Sequence, residues 1–200
     1  MAYFVGLTGG IGSGKTLVGE VFSTMGVPVF NADEETKKLY DTDAALRTQL
    51  INLLGTEIYD GSKLRRKLMA ERIFAEETLL EKVNGLVHPV VAGCFRTYAA
   101  QQNAPYVLME SAILMESGIA SMMRKTIAVT APETLRLQRV QQRDGLPEET
   151  VRLRIRQQWT DERRNAAADF ILVNDGKQAI LPQVITIHEK LMCRCVDVLI

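Results

Sequence analysis

An α/β fold built on a five-stranded parallel sheet flanked by helices is predicted by three observations. Short apolar runs alternate with segments of helical periodicity, and a glycine-rich loop joins the first run to the first helix. The 200 residues are 46% hydrophobic, enough for a sizeable core. The first strand is read over 3–8 (YFVGLT), an apolar, β-prone run ending in glycines. Residues 15–25 follow as a helix, with Val18, Val21, Phe22 and Met25 at helical spacing. Gly26 ends it, Val27 to Phe30 reads as a second strand, and Asn31-Ala32-Asp33 is a polar exit. So short a crossover implies parallel pairing.

From about 34 to 100 helix follows helix, each with a charged face. Gly55 and an Asp60-Gly61 turn punctuate this stretch, and Pro89 is expected to open a new helix. Strand signals return at 106–109 and 126–130. Residues 133–168 read as arginine-rich helix interrupted only at 144–147; a last strand, 170–173, ends at Asn174-Asp175-Gly176 before a C-terminal helix. The expected organisation is a core over approximately 1–33, 101–135 and 169–200, carrying helical excursions at approximately 34–100 and 136–168.

Composition narrows the partners. Lys plus Arg number 24 and Asp plus Glu number 24, so the formal charge is zero. That argues against a nucleic acid or an anionic membrane as main partner, since both favour a basic excess. Cys94, Cys193 and Cys195 fit neither a disulfide framework nor a zinc site and read as reduced thiols. The start, MAYFVGLTGG, lacks the pattern of a signal peptide, and no apolar stretch is long enough to span a membrane. A cytoplasmic location is the expectation.

Gly9-Gly10-Ile11-Gly12-Ser13-Gly14-Lys15-Thr16 fits G-x-x-x-x-G-K-[ST] without a mismatch, with a strand before it and a helix after it. In such a P-loop the glycines let successive N–H groups converge on one anion, and the helix N-terminus adds its positive end. Gly10, Ile11, Gly12, Ser13, Gly14, Lys15 and Thr16 are therefore the expected nucleoside-triphosphate-binding residues. Lys15 reaches the β- and γ-phosphates, and the Thr16 hydroxyl is the expected ligand of Mg²⁺. A GTPase needs D-x-x-G and N-K-x-D segments, and the chain has neither. A small-molecule kinase needs an acceptor pocket and a water-excluding lid, which the two helical excursions suit. Asp33, just past the second strand, fits a group that orients an acceptor hydroxyl and takes its proton. A helix N-cap is the other reading of the same residue.

The order of motifs resembles the dephospho-CoA kinase family. LTGGIGSGKT at 7–16 is followed by NAD at 31–33, then Arg65-Arg66-Lys67-Leu68 with Ile73-Phe74, NGLVHP at 84–89 and AILME at 112–116. Gln142-Arg143-Asp144-Gly145, RIRQQ at 154–158, and Ala168-Asp169 to Asn174-Asp175-Gly176 complete the series. Two positions depart from the family pattern: Asn31 stands where Asp is usual, and AILME where P-L-L-F-E is usual. The resemblance implies a P-loop NTPase-type sheet in the nucleoside-monophosphate-kinase arrangement, with a helical substrate-binding insertion and a helical lid. It implies transfer of the ATP γ-phosphate to the ribose 3′-hydroxyl of dephospho-CoA, with Mg²⁺ bridging the phosphates.

Carried over by the same resemblance, Asp33 is the base, and Arg66 (or Arg65) binds a substrate phosphate through its guanidinium fork. His88 lines the substrate pocket and Glu116 is a pocket carboxylate. A solvated arginine, a packed histidine and a structural ion pair are the respective alternatives. Between 136 and 164 stand eight arginines against five acids, either a solvated helical hairpin or, on the resemblance, the lid over ATP. Arg139 (catalytic) and Arg143 (ATP-binding) lie one turn apart and are the residues expected to meet the phosphates, with Asn174 edging the adenine. Neither the sequence nor the resemblance sets an oligomeric state.

Overall fold

The structure, a computed structural model, describes residues 2–196, with the side chains of 74, 75, 77 and 194–196 outside the description. Phe74 of the quoted motif and the Cys195 thiol fall among those side chains. In chain order the elements open with β1 (Tyr3–Thr8), α1 (Lys15–Thr24), β2 (Val29–Asn31), α2 (Ala32–Thr42) and α3 (Ala44–Leu54). A hairpin of β3 (Tyr59–Asp60) and β4 (Lys63–Leu64) leads to α4 (Arg66–Ala75) and α5 (Glu77–Ala100). Then come β5 (Tyr106–Glu110), β6 (Lys125–Thr130), α6 (Glu133–Asp144), α7 (Glu148–Arg156), α8 (Asp161–Ala167), β7 (Phe170–Val173) and α9 (Ile180–Val196). These form two compact units, Met1–Phe30 with Tyr98–Ile200, and Asn31–Thr97.

The main sheet has five parallel strands in the order β2-β5-β1-β6-β7. Val5 lies opposite Leu108 on one side of β1, Leu7 opposite Ile127 on the other, and Val129 of β6 opposite Leu172 of β7. β1 and β2 do not pair with each other, although the short crossover between them implied it. β5 takes the place beside β1 because all five of its residues are buried, as a strand covered on both faces requires. β2, only three residues long, takes an edge. α1 and α9 cover the sheet through Val18, Phe22, Val184 and Leu191, and the central strands meet them with Leu7 and Leu108. The phosphate loop thereby leaves the middle of the sheet at the C-terminal end of β1.

Other differences from the sequence reading have local causes. The 133–167 stretch breaks at 157–160 as well as at 145–147, because Thr160 caps α8 by accepting from the Arg163 N–H. Pro89 lies inside α5 instead of opening a helix, and the carbonyl it leaves without a helical donor is that of Gly85. The Asp60-Gly61 turn closes a true hairpin, with Gly61 at φ +58°. In the Asn31–Thr97 unit, that hairpin is fixed by the Asp41 carboxylate, which accepts from the Leu64 N–H at 3.0 Å. The Tyr59 hydroxyl donates to the Tyr40 carbonyl at 2.9 Å, and burial pushes the Tyr40 phenol up to about 12.

Candidate active site

The phosphate loop owes its shape to glycines and to side chains that lie against them. Gly12 and Gly14 sit at φ +79° and +93°, a region that residues with a Cβ avoid. A Cβ on Gly14 would lie 2.2 Å from the Asn174 amide nitrogen, and one on Gly10 would lie 2.6 Å from the Arg136 guanidinium. Gly14 is also the N-cap of α1, so no capping side chain covers the first N–H groups of that helix. Lys15 is buried at this point, 9% exposed.

Behind the loop the Thr16 hydroxyl donates to Glu110 Oε1 at 2.8 Å. Glu110 ends β5 opposite Leu7 and is only 4% exposed. The sequence reading closed this strand at Met109 and missed the carboxylate. A lone acid ending the run YVLME was the available signal.

Two predicted residues join the loop directly. Asn174 donates through Nδ2 to the Ser13 carbonyl at 2.8 Å. Arg139 donates through Nη1 to the carbonyls of Asn174 (3.2 Å) and Gly12 (3.4 Å), and through Nη2 to Asn174 Oδ1 at 3.2 Å. Arg143 is placed differently: it is exposed and donates twice to its neighbour Asp144, at 2.7 and 2.9 Å. Those bonds hold the Asp144 carboxyl below the usual range.

Glu116 belongs to a chain of ion pairs, the structural alternative that the sequence reading left open for it. Asp161 accepts from Arg136 Nη1 at 2.6 Å and from Arg164 Nη1 at 2.7 Å. Arg164 Nη2 in turn donates to the Trp159 carbonyl at 2.8 Å and lies 3.5 Å from Glu116 Oε1, which also accepts from the Trp159 N–H at 3.0 Å. Arg136 and Arg164 are 4% and 1% exposed. Beside this chain a cavity of about 720 Å³ opens between Pro132, Arg136, Trp159, Asp161 and Asp175.

The remaining predicted residues lie in the Asn31–Thr97 unit. Asn31 caps α2, its side chain accepting from the Glu34 N–H at 2.9 Å, so the cap falls on Asn31 while Asp33 occupies the first turn. Arg66 opens α4, with its guanidinium on the Lys37 carbonyl (3.1 Å) and Asp41 carboxylate (3.3 Å) and its side chain more than half exposed. Arg65 pairs loosely with Asp60 at 3.5 Å. His88 is half-buried on α5, and burial pushes its imidazole below the ordinary value.

A parallel sheet whose central strand runs into a G-x-x-x-x-G-K-[ST] loop, with the loop threonine donating to a buried glutamate, defines a P-loop nucleoside-triphosphate-binding protein. The chain belongs to the dephospho-CoA kinase family: the family model CoaE, dephospho-CoA kinase, matches residues 3–179. A dephospho-CoA kinase from Bacteroides fragilis is 41% identical over 186 residues, covering 92% of this chain and 91% of that protein. Among solved structures, TT1252 from Thermus thermophilus is similar with a TM-score of 0.83 at 27% identity, over 96% of this chain and 97% of that one. The dephospho-CoA kinase of Campylobacter jejuni shares the fold with a TM-score of 0.67 at 22% identity, over 96% and 98%. The chain is thus a kinase that transfers phosphate to an alcohol group. Among the described residues no helix is long and apolar enough to cross a membrane.

Proposed function

We propose that this chain transfers the γ-phosphoryl group of ATP to the ribose 3′-hydroxyl of dephospho-CoA, giving coenzyme A and ADP, in the cytoplasm. The observation that carries the acceptor is the extent of the family match. Residues 3–179 include the whole of Asn31–Thr97, which a phosphate loop alone leaves unexplained.

The motif resemblance and, for the loop, Arg139 and Asn174, the contacts around it support the following roles. The loop N–H groups other than those of Ile11 and Ser13, together with Lys15, hold the β- and γ-phosphates and offset charge on the transferred group. Asp33, in the first turn after β2, orients the acceptor hydroxyl and takes its proton. Arg66, His88 and Glu116 are assigned to the acceptor side, and Arg143 to the phosphates. Arg139 and Asn174 act on ATP from their positions against the loop. Residues 136–168 serve as the lid that shuts out water, and 34–100 as the acceptor-binding insertion. The neutral charge balance leaves nucleic acid and membrane outside its partners.

Thr16 and Glu110 fit Mg²⁺, because they bring a hydroxyl and a buried carboxylate, both hard oxygen donors, to one point beside the loop. The ion supplies charge neutralisation on the β- and γ-phosphates. Mass and ³¹P analysis of the product formed from Mg-ATP and dephospho-CoA tests the reading. A new phosphate monoester on the ribose is expected; ADP released without it overturns the proposal.

A further inference from the structure

We propose that Gln158 is a positioning residue for the phosphate loop: its side-chain oxygen fixes Ile11 and so ties nucleotide affinity to the helices over 133–167. The proposal rests on the reading of this loop as the ATP site.

Four of the six residues from Gly9 to Gly14 are glycine, so the loop has little conformational preference of its own. One bond within the turn, from the Ser13 N–H to the Gly10 carbonyl at 3.0 Å, does not fix it. Outside contacts hold Gly12 through Arg139 and Ser13 through Asn174, and are most numerous at Ile11. Its N–H donates to Gln158 Oε1 at 2.8 Å, and its carbonyl accepts from Arg136 Nε at 3.0 Å. Its side chain packs against the buried cluster of Leu137, Val140 and Val151.

Gln158 is itself well held. It lies in the α7–α8 connection, where both polar groups of the Trp159 backbone are bound, the N–H by Glu116 and the carbonyl by Arg164. Thr160 caps the next helix. The amide of Gln158 is therefore aimed at the loop from a backbone anchored on the buried ion pairs. A loop already fixed at Ile11 loses less conformational freedom when it closes around phosphates, and that difference appears as affinity. The bond to Ile11 is the part of this arrangement that one side chain controls.

The test uses Gln158→Leu, with Gln158→Met as a second variant that keeps side-chain length without a strong acceptor. Three quantities are measured on the full chain: hydrogen exchange at the Ile11 amide, ATP affinity by calorimetry, and the thermal midpoint. Both variants should raise Ile11 exchange about tenfold and weaken ATP binding about fivefold, as loss of one neutral hydrogen bond implies. The midpoint should fall by no more than about 4 °C, since the side chain is only partly buried and one neutral hydrogen bond is lost. Unchanged exchange at Ile11, or raised exchange with unchanged ATP affinity, overturns the proposal. So does a lowered midpoint with both other readouts unmoved, which marks a purely structural role. If the parent chain failed to bind ATP, the reading of the loop would fall, and exchange at Ile11 would still decide the tether.

Discussion

Removing the Asp161 carboxylate is the perturbation whose consequence can be worked most directly from the structure. Its two oxygens accept from Arg136 at 2.6 Å and from Arg164 at 2.7 Å, and those arginines are 4% and 1% exposed. Deleting one partner of a buried pair leaves an uncompensated charge and costs about 3–5 kcal/mol. The lower end applies here, because Arg136 keeps the Ile11 carbonyl, and Arg164 keeps the Trp159 carbonyl and Glu116. Asp161 is also 19% exposed, so water can reach the gap. Asp161→Ala should therefore lose about 3 kcal/mol, which for a chain of this size lowers the thermal midpoint by roughly 6–12 °C. Asp161→Asn keeps an acceptor oxygen and should lose less. Urea and thermal unfolding of the two variants beside the parent measure this. A loss below about 1 kcal/mol for Asp161→Ala would refute the claim that these ion pairs hold the α6–α8 region together.

Three further outcomes are expected. Asp33→Asn should lower turnover far more than ATP affinity, read by initial rates beside nucleotide titration; equal loss of both would remove Asp33 as the base. Glu110→Gln should leave the fold intact by circular dichroism while raising the Mg²⁺ concentration needed for half-maximal rate, and an unchanged Mg²⁺ dependence would take Glu110 out of the metal site. Burial pushes the Asp169 carboxyl up, but bonds from the Lys125 ammonium and from the Thr126 N–H (2.9 Å) and hydroxyl (3.1 Å) outweigh it and hold the group below its ordinary value. A depressed carboxyl adds stability above its unfolded value near 3.9 and loses it as pH falls through the folded one. Urea midpoints of the parent and Asp169→Asn should thus differ at pH 7 and converge in strong acid. Parallel curves at every pH would contradict that assignment.

The loop was legible because its chemistry dictates both residue types and spacing, and the five strands because each is an apolar run between turn residues. Sheet order was not legible in the residues themselves, although the family resemblance implied the nucleoside-monophosphate-kinase arrangement. It depends on which strand is buried on both faces, and β5 shows that only by being apolar from Tyr106 to Met109 with one buried acid at its end. Glu110 escaped because the lone acid ending YVLME, its one signal, reads equally well as the first solvated residue after the strand. The arginines of 136–164 posed a different difficulty. Helical spacing set Arg139 and Arg143 together, yet Arg139 reaches the loop while Arg143, one turn on, pairs with Asp144. Arg136 was counted and given no role, although it sits beside Leu137 and Val140 on the buried face of α6. Pro89 illustrates local preference losing to tertiary packing. Val87 and Val91 on either side are buried, and their burial keeps the helix continuous through a residue that breaks one of its hydrogen bonds.

ADP release with Mg-ATP and a panel of acceptors (dephospho-CoA, adenosine, AMP and water) tests the central claim most directly. Turnover with dephospho-CoA and none above background with the others is the predicted result. Equal or greater turnover with adenosine or AMP would make this a kinase for another nucleoside or nucleotide hydroxyl. ATP binding without turnover on any acceptor would contradict the account and leave a nucleotide-binding regulator in its place.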